Sequence, residues 1–294
     1  MNGNAQTAVL GTGIMGAAMT RNLVSAGLRT TIWDRSEQAT APLARAGARA
    51  AASPVEAVRD AEVVITMLPT PAVLESVMSP AVVQSFMRGA VWAQMGTIGP
   101  DATADIASQI RQLRPDVLFV DAPVSGSKGP AENGQLLILA SGPREAEALV
   151  ERAFSAIGRK TVWLGDAGQG SRMKLVVNAY MCILIEGVAE ALELASGLGV
   201  DPSGLAGVIE GGPLDAPIAD AKLHKMQIGD YAPEFPLEWA LKDVDLAIQT
   251  ADDDRLPLLE GLSRQWRAAV QAGHGREDVS AVRLAVGSRP TASG

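Results

Sequence analysis

The chain has 294 residues, which suits one or two domains, and its hydrophobic (47%) and charged (20%) fractions are typical of a globular protein rather than a disordered one. A net charge of −8, without clustered basic residues, argues against a nucleic acid partner, and a single cysteine with two histidines excludes an intrachain disulfide and leaves no metal site expected. The wholly apolar stretches are shorter than the roughly 18 residues that span a bilayer, and the N-terminus lacks a signal-peptide pattern, so we expect a cytoplasmic chain with no membrane partner.

The first half of the chain alternates strand and helix signals. Strands are predicted at 7–10, 29–33, 62–68, 90–95, 117–120, 135–140 and 161–164, and helices at 14–26, 37–46 and 101–113. This order predicts an α/β fold with a largely parallel sheet and helices on both faces.

The pattern changes near Gly165 and becomes entirely helical. One long helix is predicted at 170–199, followed by helices at 203–210, 216–228, 236–250, 256–271 and 277–286. We therefore divide the chain into residues 1–165 and an all-α domain of residues 166–294, joined by the long helix. The acidic run at 252–254 is interpreted as a solvated turn and residues 287–294 as a frayed tail. Helices with this much apolar surface predict a homodimer or homotetramer built through the C-terminal domain.

A glycine-rich turn follows the first predicted strand and opens the first predicted helix. Gly11, Gly13 and Gly16 form a G-x-G-x-x-G pattern, with Ile14 and Met15 inside it. In this context the first glycine permits the tight turn, the second lets the backbone approach a pyrophosphate, and the third lets the helix pack on the strand. The segment predicts a Rossmann-type dinucleotide-binding domain that binds NAD or NADP.

Two adjacent residues after the second strand point to different coenzymes. Asp34 is typical of a carboxylate that binds the ribose hydroxyls of NAD, whereas Arg35, followed by Ser36, suits the 2′-phosphate of NADP. All three are predicted to contact the coenzyme, and the balance slightly favours NADP while leaving NAD open. A solvated surface arginine is the alternative for Arg35.

Further coenzyme contacts are expected where later strands end. Met67, Leu68 and Pro69 close one strand, and Thr97 follows the next. Ligands gather at the carboxyl edge of open α/β sheets, so we predict that these residues contact the coenzyme, although ordinary turn residues would show the same pattern.

Three later segments resemble motifs of the β-hydroxyacid dehydrogenases, the family of 3-hydroxyisobutyrate dehydrogenase. Residues 121–127 read D-A-P-V-S-G-S, residues 168–178 read G-Q-G-S-R-M-K-L-V-V-N, and residues 242–243 read K-D. With the G-x-G-x-M-G turn these motifs occur in the family order over nearly the whole chain. Relatives of the family include tartronate-semialdehyde and glyoxylate/succinic-semialdehyde reductases, and phosphogluconate-oxidising enzymes share its fold.

The resemblance implies a role for each matching residue. Lys174 corresponds to the catalytic lysine, and Asn178, one helical turn later on the same face, to the asparagine that holds the substrate beside it. Ser125 and Gly126 correspond to the loop that binds the substrate carboxylate. Lys242 corresponds to a lysine that reaches the substrate and the nicotinamide. The expected substrate is a small carboxylate-bearing hydroxyacid or semialdehyde.

One departure from the family pattern falls in the substrate loop. Ser127 stands where the family has a second glycine, and its hydroxyl would narrow the carboxylate pocket or add a hydrogen-bond donor. Two other functions stay open. One is an imine reductase, although imine reductases commonly lack the lysine, and the other is a non-catalytic scaffold that binds the coenzyme.

Overall fold

The computed structural model describes residues 6–251 and 255–287, which form two compact units. The N-terminal unit ends at Lys174 and the C-terminal unit begins at Leu175. The predicted boundary at residue 165 precedes this division, because the first turn of the long helix is bonded to strands of the N-terminal unit. The predictions for the acidic run at 252–254 and for the tail beyond residue 287 lie outside the described residues.

A six-stranded parallel sheet forms the centre of the N-terminal unit. Its strands are β1 (Gln6–Leu10), β2 (Arg29–Trp33), β3 (Arg49–Ala50), β4 (Val63–Thr66), β5 (Val91–Gln94) and β6 (Leu118–Asp121), arranged in the order β3-β2-β1-β4-β5-β6. The helices between them are α1 (Ile14–Ser25), α2 (Glu37–Arg45), α3 (Pro54–Val58), α4 (Pro71–Val77), α5 (Pro80–Gln84) and α6 (Pro100–Leu113). This is the strand order of dinucleotide-binding folds, and it confirms the predicted α/β class.

Both faces of this sheet are covered, which explains why its central strands are apolar throughout. In β1, Val9 belongs to one buried cluster, whereas Ala8 and Leu10 belong to the other. All four residues of β4 are buried. A strand buried on both faces carries a continuous apolar run rather than alternation, and that run is the signal by which the sequence predicted it.

The two predicted strands at 135–140 and 161–164 do not extend the parallel sheet. They correspond to β8 (Leu136–Ala140) and β9 (Gly158–Trp163), which form a separate three-stranded sheet with β7 (Val124–Ser125). β7 is antiparallel to β8 and pairs Ser125 with Leu137, so part of the predicted loop after Asp121 is a strand. The helices of this region are α7 (Lys128–Glu132) and α8 (Glu147–Ile157).

The long predicted helix is α9 (Gln169–Gly197), which runs from one unit into the other. By length and composition alone it would pass as a membrane span, with a mean hydropathy of 1.7 in its most apolar window, 44% of which is buried. Its buried residues Cys182, Ile185 and Ala189 lie in the core of the C-terminal unit. Packing into that core accounts for part of the apolar composition of the helix, whereas Val176 and Leu194 on the same helix are exposed.

The C-terminal unit is helical, as predicted, except at its end. Its further helices are α10 (Gly204–Ile209), α11 (Pro217–Ile228), α12 (Leu237–Thr250) and α13 (Pro257–Gln271). The predicted helix at 277–286 is instead a 3₁₀ helix over Val279–Leu284, because its amides bond three residues back, as from Ala281 to Asp278, rather than four. Leu198, Val208 and Leu214 stay exposed in this unit, and the expected oligomer remains a prediction.

A buried ion pair joins α11 to this 3₁₀ helix. Lys222 is 1% exposed, and its Nζ lies 2.9 Å from Asp278 Oδ1 and 3.0 Å from Glu234 Oε2. Asp278 also accepts hydrogen bonds from the amides of Glu234, Phe235 and Ser280. The carboxylate therefore holds the segment that leads into α12 and the first turn of the 3₁₀ helix at the same time.

Candidate active site

The glycine turn after β1 is a close backbone approach that larger residues would not permit. Gly11 has φ of +94°, and a Cβ there would lie 2.4 Å from the carbonyl oxygen of Met67. A Cβ on Gly16 would lie 1.9 Å from the carbonyl oxygen of Gly11. The first and third glycines are therefore required for the turn itself and for packing α1 against it.

The middle glycine has a different environment. Gly13 is exposed, and a Cβ built on it has no protein atom within 4 Å. It is the N-cap of α1, where no side chain caps the first-turn amides. Open space beside uncapped amides at the start of a 12-residue helix fits a pyrophosphate, which takes the place that a capping side chain would fill.

The acid after β2 is bound to the glycine turn. Asp34 Oδ2 accepts hydrogen bonds from the amide of Thr12 at 2.7 Å and from its hydroxyl at 3.1 Å, and Oδ1 accepts one from the amide of Ser36. Arg35 is exposed. The carboxylate is thus directed at the turn, and the guanidinium beside it extends to solvent.

The remaining predicted coenzyme contacts lie at the ends of β4 and β5, on the same edge of the sheet. Leu68 is buried in the core, with its side chain beside Gly11 of the glycine turn, whereas Met67 and Thr97 are half-buried and Pro69 is exposed. A Cβ on Gly96 would lie 2.2 Å from the carbonyl oxygen of Leu68. The turns after these two strands therefore also pack backbone against backbone.

The predicted substrate loop begins in β7. Ser125 and Ser127 are half-buried, and Gly126 between them has φ of +135°. A Cβ on Gly126 would lie 2.9 Å from Leu136 and 3.1 Å from Pro130, so the loop requires a glycine there. The Ser127 hydroxyl does not cap the short helix that follows.

Lys174 is half-buried and lies one turn after the start of α9. That start lies at the carboxyl end of β6, because the amides of Gly168 and Ser171 donate to Asp121 Oδ2 at 3.1 Å and 2.8 Å. The glycine turn, the substrate loop and Lys174 thus all belong to the N-terminal unit.

The other two predicted site residues lie together in the C-terminal unit. Asn178 Nδ2 donates to Asp243 Oδ2 at 2.6 Å, and Lys242 Nζ lies 2.6 Å from Asp243 Oδ1. Asp243 and Asn178 are buried, whereas Lys242 is half-buried. No role of its own was predicted for Asp243. Its place on the apolar side of an amphipathic helix is the feature of the sequence that would have indicated a role.

Comparisons with known proteins cover almost the whole chain. Residues 6–165 match the NAD binding domain of 6-phosphogluconate dehydrogenase, and residues 168–285 match a domain described as NAD-binding of NADP-dependent 3-hydroxyisobutyrate dehydrogenase. The chain is 34% identical to glyoxylate/succinic semialdehyde reductase 1 of Arabidopsis thaliana, covering 94% of this chain and 96% of that protein.

Two further comparisons agree with these matches. Glyoxylate/succinic semialdehyde reductase 2, a chloroplastic protein of the same plant, is 32% identical over 95% of this chain and 79% of that protein. The crystal structure of 3-hydroxyisobutyrate dehydrogenase from Salmonella typhimurium superposes with a TM-score of 0.88 at 27% identity, covering 95% of this chain and 99% of that chain. The chain therefore belongs to the β-hydroxyacid dehydrogenase family of NAD(P)-dependent oxidoreductases that act on small hydroxyacids and semialdehydes.

Proposed function

We propose that this protein is an NADP-dependent reductase of small semialdehydes that carry a carboxylate, and that Lys174 is its general acid. When bound, the reduced nicotinamide supplies a hydride to the carbonyl carbon. Lys174 donates a proton to the carbonyl oxygen, which yields the hydroxyacid, and the amine regains its proton from solvent. In the reverse direction the neutral amine accepts the hydroxyl proton.

The position of Lys174 carries this proposal. Its helix begins at the carboxyl edge of the parallel sheet, where the glycine turn also lies, and Lys174 is one turn inside it. Hydride addition builds negative charge on the carbonyl oxygen, and a fixed ammonium at that edge both stabilises the charge and supplies the proton. The similarity to two glyoxylate/succinic semialdehyde reductases supports the aldehyde acid as the substrate class.

The substrate loop supplies the second requirement, which is a place for the carboxylate. Ser125 contributes a hydroxyl from a paired strand, and Gly126 leaves the adjacent backbone without a side chain. Ser127 adds a further hydroxyl that does not cap α7. Two hydroxyls in three residues favour a substrate with several oxygen acceptors, as a short aldehyde acid has.

A kinetic panel tests the proposed function. Glyoxylate, succinic semialdehyde, tartronate semialdehyde, 3-hydroxyisobutyrate and a cyclic imine are each assayed with NADPH or NADH, or with the oxidised coenzymes for the hydroxyacid. We expect the highest kcat/KM with one of the aldehyde acids. Turnover of the imine alone would identify an imine reductase, and coenzyme binding without any turnover would identify a scaffold. Either result overturns the proposal.

The preference for NADP is proposed from the two side chains after β2. Asp34 is hydrogen-bonded to Thr12, whereas Arg35 extends to solvent. The guanidinium is therefore the more accessible of the two charged groups for a 2′-phosphate. We expect Arg35→Ala to lower kcat/KM for NADPH by about 10- to 100-fold, the cost of a charge-assisted contact of 1.5–3 kcal/mol, and to leave the value for NADH nearly unchanged. An equal loss with both coenzymes contradicts this preference.

A further inference from the structure

Asp121 is a buried residue that connects three parts of the N-terminal unit: the end of β6, the residue after β8 and the start of α9. Its backbone exchanges two hydrogen bonds with Ser141, which follows β8, and its carboxylate is fully buried. Four residues later in the chain, Ser125 lies in the proposed carboxylate loop. The residue thus lies where β6 leads into the segment that continues as β7.

The carboxylate of Asp121 accepts hydrogen bonds from backbone amides at the start of α9, the helix that carries Lys174. Oδ2 accepts hydrogen bonds from the amides of Gly168 and Ser171, and a third from the Ser141 hydroxyl at 3.1 Å. Oδ1 accepts a hydrogen bond from the Ser171 hydroxyl at 2.7 Å. Because Gly168 precedes the helix and has no side chain, it does not supply the usual cap itself. A residue 50 positions away from Ser171 therefore caps this helix.

Other contacts hold the same helix start against the sheets. The amide of Gly170 donates to the Ser141 hydroxyl at 2.9 Å, and Thr103 lies 3.0 Å from the Ser171 hydroxyl. A Cβ on Gly170 would lie 2.3 Å from the carbonyl oxygen of Leu139. The first turn of α9 is therefore in backbone contact with β8 and fixed from several directions.

We propose that Asp121 is a positioning residue for Lys174, which fixes the first turn of α9 against β6 and thereby sets where the lysine amine lies relative to the Ser125 loop. The inference rests on the proposed function, because it requires Lys174 to take part in the reaction. Lys174 lies three residues after Ser171, so a change in the tilt of this first turn moves the amine directly. The start of α9 is bonded to the carboxylate of Asp121, and the Ser125 loop follows Asp121 in the chain, so both are placed from the end of β6.

The hydrogen bonds that the Asp121 carboxylate accepts support this role. Burial raises the pKa of Asp121 above its ordinary value, and the hydrogen bonds from Ser171, Ser141 and Gly168 oppose that rise. An anion at the beginning of a helix is also favoured by the helix dipole. Asparagine has nearly the same shape but no charge and fewer acceptor sites, so it would release at least one of these donors.

The test is a double-mutant cycle of Asp121→Asn with Lys174→Ala. We expect Asp121→Asn alone to lower kcat by about 10- to 100-fold, as a displacement of about 1 Å would, with the dissociation constant of NADPH unchanged. In the Lys174→Ala background the same change should lower the residual rate by less than about twofold, because its effect passes through the lysine. An equal loss in both backgrounds indicates a general structural role and overturns the inference.

Two further variants keep the test decisive. Ser171→Ala removes the Oδ1 hydrogen bond but leaves the backbone bonds, so we expect a smaller loss of kcat in a folded protein, and this variant decides if Asp121→Asn does not fold. Asp116→Asn, which breaks an ion pair with Arg114 elsewhere in the unit, is the control and should keep the wild-type kcat. Wild-type kcat in Asp121→Asn and Ser171→Ala overturns the inference alone, whereas wild-type kcat in Lys174→Ala overturns the proposed function.

Discussion

Replacement of Lys174 by alanine is expected to lower kcat for the best aldehyde substrate by about 10²–10⁴-fold, the usual contribution of a general acid. The alanine variant loses both the proton donor and the positive charge near the developing oxyanion. The dissociation constant of NADPH, measured by fluorescence titration, should stay within about twofold of the wild-type value, because the proposed coenzyme contacts lie in the glycine turn and after β2. Single-turnover kinetics with NADPH measure the chemical step directly.

Two variants separate chemistry from charge in this experiment. Lys174→Arg keeps a positive charge but does not readily give up its proton, so we expect it to recover substrate binding without recovering kcat. Lys160→Ala removes an exposed lysine from β9 and should leave both constants unchanged. A loss smaller than about tenfold in Lys174→Ala would mean that another group supplies the proton.

The largest effect on stability is expected from Asp278→Asn. Lys222 has 2% of its side chain exposed, and without the Asp278 carboxylate its remaining ion pair is with Glu234, whose side chain is 38% exposed. Removing one member of a buried ion pair costs about 3–5 kcal/mol of unfolding free energy, because the remaining charge is left without compensation. Urea unfolding followed by tryptophan fluorescence measures the loss, with Trp266 reporting from the core of the same unit.

The pH dependence of this loss has a definite sign. Burial would raise the pKa of Asp278, but the charge of Lys222 and the hydrogen bonds from Lys222, Glu234 and Ser280 outweigh burial and hold the pKa below its ordinary value. The stability it provides is therefore complete above the unfolded-state pKa of about 3.9 and is lost as the pH falls through the lower folded-state value. We expect the wild type and Asp278→Asn to converge in stability below about pH 4.

An exposed aspartate provides the control for this prediction. Asp201 precedes α10 and is exposed, and its carboxylate accepts hydrogen bonds from the amide and the hydroxyl of Ser203. Asp201→Asn should change the unfolding free energy by less than about 0.5 kcal/mol. If Asp278→Asn costs no more than this control, the buried pair does not stabilise the unit.

The predictable part of the fold is the part with a local signal. β4 and β5 carry the apolar runs of doubly covered strands, and α9 carries an apolar pattern along its length. β7 has only two residues, and its pairing with β8 is a contact between segments that no local pattern reports. The helix α8 has no counterpart among the predicted elements, although its buried residues Val150, Ala153, Phe154 and Ile157 follow a helical spacing.

The candidate site divides in the same way. The glycine turn and the residues around Lys174 are continuous motifs, so the sequence alone identified them. The partners of these residues are distant in the chain: Asp121 and Ser171 are 50 positions apart, and Asn178 and Asp243 are 65 positions apart. Such pairings depend on how strands and helices are brought together in the fold, so the motifs that contain Asp121 and Asp243 do not by themselves indicate a role for either acid.

The bonds from Asp34 to Thr12 have a consequence for altering coenzyme choice. The carboxylate that would repel a nearby 2′-phosphate also anchors the glycine turn, on which the pyrophosphate would rest. Replacing Asp34 with a neutral residue to favour NADP would also remove the hydrogen bonds that hold this turn. Selectivity for NADP would then increase while the turn became less preorganised for binding. Substitutions at Arg35 and Ser36 avoid this trade, and a change at Asp34 calls for a compensating side chain at position 12.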